Sequence, residues 1–307
     1  MSNNKGKVVI TGGSGFLGIN LAQTLIEEGY DVCIISRNPS KTQGRWKHVY
    51  WDGRSLGGWA DELNGAVAIV NLAGRSVDCI KTPDNCDAIL RSRVESTLVI
   101  GEALRLCKDA PAVWVQMSTA HIYGDPMDIV CTEETQFGYG LAVTVGKEWE
   151  KAFEKSVLPT MRRVVLRTSF VIGKTGGALP RLAWITKLGL GGKAGSGKQG
   201  MSWIHEVDMN RIFMKGIEDK EMNGVYIATA PNPVSNEEFM RELRGALRVP
   251  IGLPALAWMV KIGAPLIMNT DPELALYGRY CIPKRLLDEG FKFQYETIRS
   301  ALCDACA

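Results

Sequence analysis

Short apolar runs alternate with amphipathic ones through the first half of the chain. Residues 8–10, 32–35, 49–51, 68–72, 113–117 and 164–167 predict strands, each too short for a helix and bounded by polar or glycine-containing segments. Between them, 16–28, 56–63, 85–107 and 142–155 carry the spacing of helices. Strand and helix in turn are the mark of βαβ units and a parallel sheet. The pattern changes over 173–200, where glycines and scattered lysines predict irregular structure. A stretch of that length in a compact protein is usually a lid or a substrate wall. A helix near 208–218, a strand at 224–228 and a helix-rich tail over 235–307 follow. The fold class read from this is α/β: a doubly wound parallel sheet of six or seven strands with a smaller, mostly helical C-terminal substrate-capping region. Residues 1–172 form the sheet domain, with further core strands near 201–230, and 173–307 form the cap.

Composition narrows the function classes. Hydrophobic residues at 46% and charged ones at 22% suit an ordinary well-buried protein, and a net charge of +3 with no run of like charges argues against a nucleic-acid partner. The opening residues turn straight into a strand, and the longest apolar stretch, 253–268, is interrupted by Lys261 and Pro265. No membrane partner and a cytoplasmic location are therefore expected. That stretch reads as an apolar helix face capping the substrate region, with a homodimer contact as the weaker alternative. The eight cysteines are expected to be reduced, and Cys303 and Cys306, a C-x-x-C without a second pair, to lie on a terminal helix. The three histidines have no ligand spacing, so no metal site is expected.

The chemistry begins at the first turn. Gly12, Gly15 and Gly18 follow the strand at 8–10 and precede an amphipathic helix. Glycine lets the backbone turn tightly, approach a pyrophosphate and pack helix on strand, and the free N–H groups of the helix start receive the phosphate. Alone the triplet would be only a turn; in this context it predicts a dinucleotide site. Arg37 ends the second strand, with Lys41 nearby. An acidic residue there would accept from the ribose hydroxyls and repel a 2′-phosphate; arginine does the reverse, which favours NADP over NAD. The bland alternative is a solvated basic turn.

With its flanks, the first turn reads TGGSGFLG (11–18) and resembles the short-chain dehydrogenase/reductase superfamily, in its extended, nucleotide-sugar-epimerase-like branch. The resemblance implies a Rossmann-like fold and a cofactor site at Gly12, Gly15, Phe16, Leu17 and Gly18. It also places Asp52 at the adenine, and Leu72, Ala73 and Gly74 of an N-x-A-G segment along the cofactor. Residues 117–124, MSTAHIYG, resemble the branch's S-[ST]-x-x-V-Y-G. This makes Ser118 the candidate that binds a substrate oxygen, against a serine that merely ends the strand. Tyr123 reads as a packing residue.

In the family a catalytic Tyr exchanges the substrate proton, and a Lys four residues later lowers its pKa and holds the nicotinamide ribose. The spacing stacks the two on one helical face. Here Lys147, followed by Glu148-Trp149-Glu150, is taken as the cofactor-binding lysine. Val143 then stands in the Tyr position, where it transfers no proton, and Tyr139 becomes the substitute candidate. Arg93 aligns with a residue near the nicotinamide, where Asn is usual. His205 reads as a structural residue at a strand end, and Asp208 as the cap of the helix that follows. Lys174, Arg181, Lys187, Lys193 and Lys198 are either a clamp for a phosphorylated substrate or solvated charges.

Segments such as LRTSFVIG (166–173), GLGG (189–192), WIH (203–205) and PKRLL (283–287) resemble one subfamily described as epimerase-family or nucleoside-diphosphate-sugar epimerase proteins, some labelled cell-division inhibitors. Loss of the usual Tyr is a feature of that subfamily. The resemblance implies an NADP-dependent oxidoreductase or epimerase acting on an alcohol or ketone, with nucleotide-linked sugars among the candidate small-molecule substrates. Its alternative is a nucleotide-binding regulatory protein with little turnover.

Overall fold

The computed structural model describes residues 4–307. Its centre is a seven-stranded, all-parallel sheet: β1 Lys7–Thr11, β2 Asp31–Ser36, β3 Lys47–Tyr50, β4 Ala66–Asn71, β5 Val113–Thr119, β6 Arg162–Thr168 and β7 Gly224–Ala228. The spatial order is β7-β6-β5-β4-β1-β2-β3. The chain starts in the middle and winds outward on both sides, so β1 and β4 flank the point where the winding reverses.

Alternation along β1 explains the two layers. Val8 and Ile10 pack on one face with Leu21 and Leu25 of α1 (Phe16–Glu27) and Phe213 of α5 (Glu206–Glu218). Val9 packs on the other with Ile100 of α2 (Pro83–Leu106), Phe153 of α3 (Leu141–Ser156), Trp114 and Leu63. Leu21 and Leu25, four apart and fully buried, each contribute roughly 2–3 kcal/mol by leaving water. Local signals set the helix starts: Thr82 caps α2 by accepting from Asn85 N at 3.2 Å, with Pro83 in the first turn.

The cap departs from the sequence reading in two places. Residues 173–200 are not wholly irregular: α4 runs over Leu179–Ile185 and a wider turn over Thr186–Leu190, broken at Gly189, where φ is 80°. Pro180 sits in the first turn of α4, where its missing N–H costs nothing. The second departure is α7, Ala257–Met268, which buries only Ala264 and leaves Trp258, Ile262, Leu266 and Ile267 more than half exposed. It caps less than its apolar character predicts. Its end is tied down by Arg181, whose Nη1 donates to Asp78 Oδ2 at 2.6 Å and to Met268 O at 3.3 Å.

Helix α6 (Asn236–Leu247), two short helices Glu273–Leu276 (α8) and Lys284–Asp288 (α9), and the terminal α10 (Ile298–Ala305) complete the cap. A two-residue ladder, Val130–Cys131 with Tyr280–Cys281, joins it to the sheet domain, and another, Gly200–Met201 with Val234–Ser235, lies within the cap. Both α5 and β7 lie beyond residue 172 yet belong to the sheet layer. Among the described residues no helix is long and apolar enough to cross a membrane.

Candidate active site

The strand ends at Thr11, Ser36, Asn71 and Thr119 open on one edge of the sheet, and each glycine of the first turn has its own reason to be there. Gly12 has φ of 69°, and a Cβ on it would lie 2.6 Å from the backbone of Ala73. A Cβ on Gly18 would lie 2.3 Å from Gly13 O, so only glycine lets α1 pack on the turn. Around Gly15, by contrast, a Cβ would meet nothing within 4 Å. Gly15 is also the N-cap of α1, with no side chain capping it and no acidic residue in the first turn. Free N–H groups, a positive helix end and open space at one point are what a pyrophosphate needs, so these residues fit a dinucleotide. Phe16 lies next to them, its ring against the backbone of Gly173 and Gly176. Leu17 packs against the sheet core.

At the end of β2, Arg37 is exposed and makes no ion pair among the described residues, while Ser36 Oγ is held by Asn38 O at 2.7 Å. Asp52 uses Oδ1 to accept from Arg54 N and Ser55 N, both at 2.8 Å, and these bonds hold its carboxyl below the usual range. Its other oxygen is free for a ligand. The N-x-A-G segment is fixed from beneath. Asn71 Oδ1 accepts from Thr11 Oγ1 at 2.8 Å and from Ala73 N at 3.0 Å, while Nδ2 donates to Gln116 and Thr97. This buried network joins β1, β4, β5 and α2, setting Leu72, Ala73 and Gly74 against the glycine turn.

The strand β5 places the candidate Ser118 inward. The residue is 2% exposed and its hydroxyl donates to Glu150 Oε1 at 2.6 Å. Glu150 in turn takes a two-pronged ion pair from Arg167, at 2.8 and 2.7 Å, and Arg167 Nη1 donates to Tyr123 Oη at 2.9 Å. Burial works against the charge on Arg167, but the Glu150 bonds outweigh it and hold the guanidinium charged. Ser118 thus serves a sealed structural network. The hydroxyl at the strand tip is Thr119, half-buried, which accepts from His121 N at 3.1 Å. Only the length of β5 decides which of two adjacent hydroxyls reaches the opening.

Helix α3 shifts the expected Tyr–Lys register by one residue. The position that abuts Thr119 is Gly146, where a Cβ would lie 3.2 Å from Thr119 Cγ2. One turn earlier on that face stands Ala142, exposed although its sector of the helix is otherwise buried. Lys147 is rotated about 100° away, in the solvent stripe with Thr144, Lys151 and Glu154. Val143 is buried, and Tyr139 stands before the helix, 96% exposed. Neither Lys147 nor Tyr139 is brought to Thr119, and the two positions that face it carry no ionisable side chain.

Arg93 Nη1 donates to Arg75 O and Ile89 O, its guanidinium lies over Trp149 at 5.0 Å, and a Cβ on Gly74 would lie 3.2 Å from it. Burial lowers its pKa to about 10, and no carboxylate pairs with it among the described residues. His121, on the turn Ala120–Tyr123, is kept neutral by burial and then by the fields of Arg279 and Lys81. His205 is structural: it caps α5 through Val207 N at 3.3 Å and lies against Tyr295. Asp208 is not the cap; fully buried, it accepts from Gln294 N and Tyr295 N at 2.8 Å. Lys174, Arg181 and Lys193 are paired with Asp304, Asp78 and Glu237. No group of three or more His, Cys, Asp or Glu side chains gathers among the described residues as a metal ion would require.

A Rossmann-like sheet with an anion-ready first turn defines a nicotinamide-dinucleotide-binding protein of the short-chain dehydrogenase/reductase type. Residues 8–227 match the model of the NAD dependent epimerase/dehydratase family, and the chain belongs to that family. Residues 257–305 match a domain of unknown function, DUF1731. The chain is similar to epimerase family protein SDR39U1 of Homo sapiens, at 29% identity over 98% of this chain and 100% of that one. It is also similar to epimerase family protein YfhF of Bacillus subtilis, at 28% over 98% of each. A crystal structure of human SDR39U1 (isoform2) with NADPH superposes with a TM-score of 0.86, at 27% identity, over 98% of this chain and 99% of that one.

Proposed function

We propose that the protein is an NADP-dependent oxidoreductase or epimerase acting on an alcohol or ketone, and that its substrate oxygen is held by Thr119 rather than Ser118. The observation that carries the reading is the pairing of an open, glycine-lined turn at Gly15 with a half-buried hydroxyl at the tip of β5 whose proton has no acceptor among the described residues. The choice of NADP rests on Arg37, exposed and unpaired at the end of β2, and agrees with the NADPH in the human relative's structure. When bound, the cofactor supplies or accepts a hydride. The chain's own residues do the rest. Asn71 fixes the strand end beneath the cofactor, Thr119 orients the oxygen, and His121, neutral and two residues away, is the base that takes the alcohol proton in the direction of oxidation.

The test is a panel of carbonyl compounds and nucleotide sugars with NADPH, read by absorbance and by product analysis, because an epimerase regenerates its cofactor. Turnover that falls at least a hundredfold in Thr119→Val, with NADPH affinity unchanged, supports the reading. Full activity of that variant removes Thr119. Tight NADPH binding with no product from any compound favours the regulatory alternative.

A further inference from the structure

Two cations from segments far apart in sequence act on the turn at the tip of β5, Arg279 by a hydrogen bond and Lys81 through its field on His121. Arg279, 7% exposed, precedes the short strand Tyr280–Cys281 and donates from Nε to Gly124 O at 2.6 Å, at the end of the turn that carries His121. Its terminal nitrogens have no protein partner among the described residues, and they are not among the polar atoms sealed from solvent. Asp125, whose charge Arg279 feels, is engaged through Oδ1 by Gly278 N at 2.6 Å. Lys81, in the loop before α2, donates only to the carbonyls of Val77 and Cys79 and forms no ion pair. Both cations act through their charge on His121, whose ring has no hydrogen-bond partner among the described residues.

A structural role would use those donors up, as other arginines here show. Arg162 spends its terminal nitrogens on Gly216 O, Met222 O and Ile217 O, and Arg167 on Glu150 and Tyr123. Arg279 is as deeply placed as these and keeps its fork open. Nor does its position suit the cofactor's phosphates. The glycine turn follows β1, which is two strands from β5, about 10 Å across the sheet, and Arg37 is one strand further.

We propose that Arg279 and Lys81 form an anion-recognising subsite beside Thr119, so that the molecule acted on carries a carboxylate or phosphate close to its reacting carbon. The planar fork suits two oxygens of such a group, and the ammonium adds charge without fixed geometry. An anion seated there also relieves the two-cation field on His121. The inference rests on the enzymatic reading above, but binding tests it separately from turnover.

Calorimetry on NADP-saturated protein would compare pyruvate, dihydroxyacetone phosphate and UDP-glucose with neutral hydroxyacetone. At least one anionic probe is expected to bind at least tenfold tighter than hydroxyacetone. The pattern tells a carboxylate from a phosphate monoester or a diphosphate. Arg279→Met and Lys81→Met should each weaken that probe at least tenfold while leaving NADPH affinity unchanged. If Arg279→Met does not fold, Lys81→Met, in a surface loop, carries the test. Equal or absent binding of anionic and neutral probes, anion binding indifferent to the variants, or an equal loss of NADPH affinity overturns the subsite. Anion binding that responds to the variants without any turnover leaves the subsite standing and removes the reaction.

Discussion

Gly15 and Gly18 should fail in opposite ways when each gains one methyl group. At Gly18 the new Cβ lies 2.3 Å from Gly13 O and 2.4 Å from Gly13 Cα, about 1 Å inside ordinary contact and against backbone that has nowhere to go. Overpacking of that kind costs about 1–3 kcal/mol. At Gly15 there is no neighbour within 4 Å and the backbone is extended at φ −86°, so alanine fits the apo protein. Its poorer N-capping, roughly 0.5–1 kcal/mol, is offset by about as much from a less mobile unfolded chain. The cost falls on the ligand. Losing one hydrogen bond to a charged pyrophosphate is worth about 1.5–3 kcal/mol, or roughly 10- to 150-fold in affinity. Urea unfolding followed by tryptophan fluorescence measures the first effect, and titration of NADPH fluorescence the second. Gly15→Ala protein that binds NADPH like the wild type, or Gly18→Ala protein with an unchanged urea midpoint, would refute the assignment of the turn.

Four further outcomes are expected. Arg167→Met strands the Glu150 carboxylate in the interior and should lower stability by about 3–5 kcal/mol, with part recovered in the double variant Arg167→Met/Glu150→Met; a loss under about 1 kcal/mol contradicts the sealed network. Arg37→Asp should weaken NADPH at least tenfold and NADH hardly at all, and equal effects would sink the NADP assignment. Tyr139→Phe should leave any turnover unchanged, since the phenol is 96% exposed outside α3; a loss of turnover would return it to the mechanism. Finally, burial lowers the pKa of both His121 and His205 below 6.5, so the unfolded chain binds protons that the native protein refuses. Their contribution to stability is complete above that value and is lost as pH falls. The urea midpoint should drop between pH 7.5 and 5.5, less steeply in His121→Gln; an equal slope in the variant contradicts the neutral imidazole.

The sheet was legible because its strands repeat one pattern and each ends on turn chemistry. The cofactor turn was legible because its glycines answer to local geometry. The site proposed around Thr119 was not, for a reason visible in α3. Reading Lys147 from its neighbours Trp149 and Glu150 ignored the polar stripe of Thr144, Lys147, Lys151 and Glu154, which the sequence does display and which puts Lys147 in water. Thr119 was hidden by having a second hydroxyl beside it, and one residue of strand length decides between them. Arg167 and Arg279 left no local signal. Their partners, Glu150 and Gly124, lie 17 and 155 residues away, so only the folded chain shows that one is satisfied and the other is not.

The position of β7 bears on how the protein can be handled as a polymer. The strand returns to pair with β6 only after the chain has left the sheet at Thr168 and traversed the first part of the cap. A fragment cut near residue 172 would therefore lack its outermost strand, and Val164 to Thr168 would present an open row of backbone donors and acceptors. Such an edge recruits other chains, so the fragment should aggregate rather than serve as a free-standing cofactor-binding module. A nascent chain faces the same hazard until Ala228 has left the ribosome.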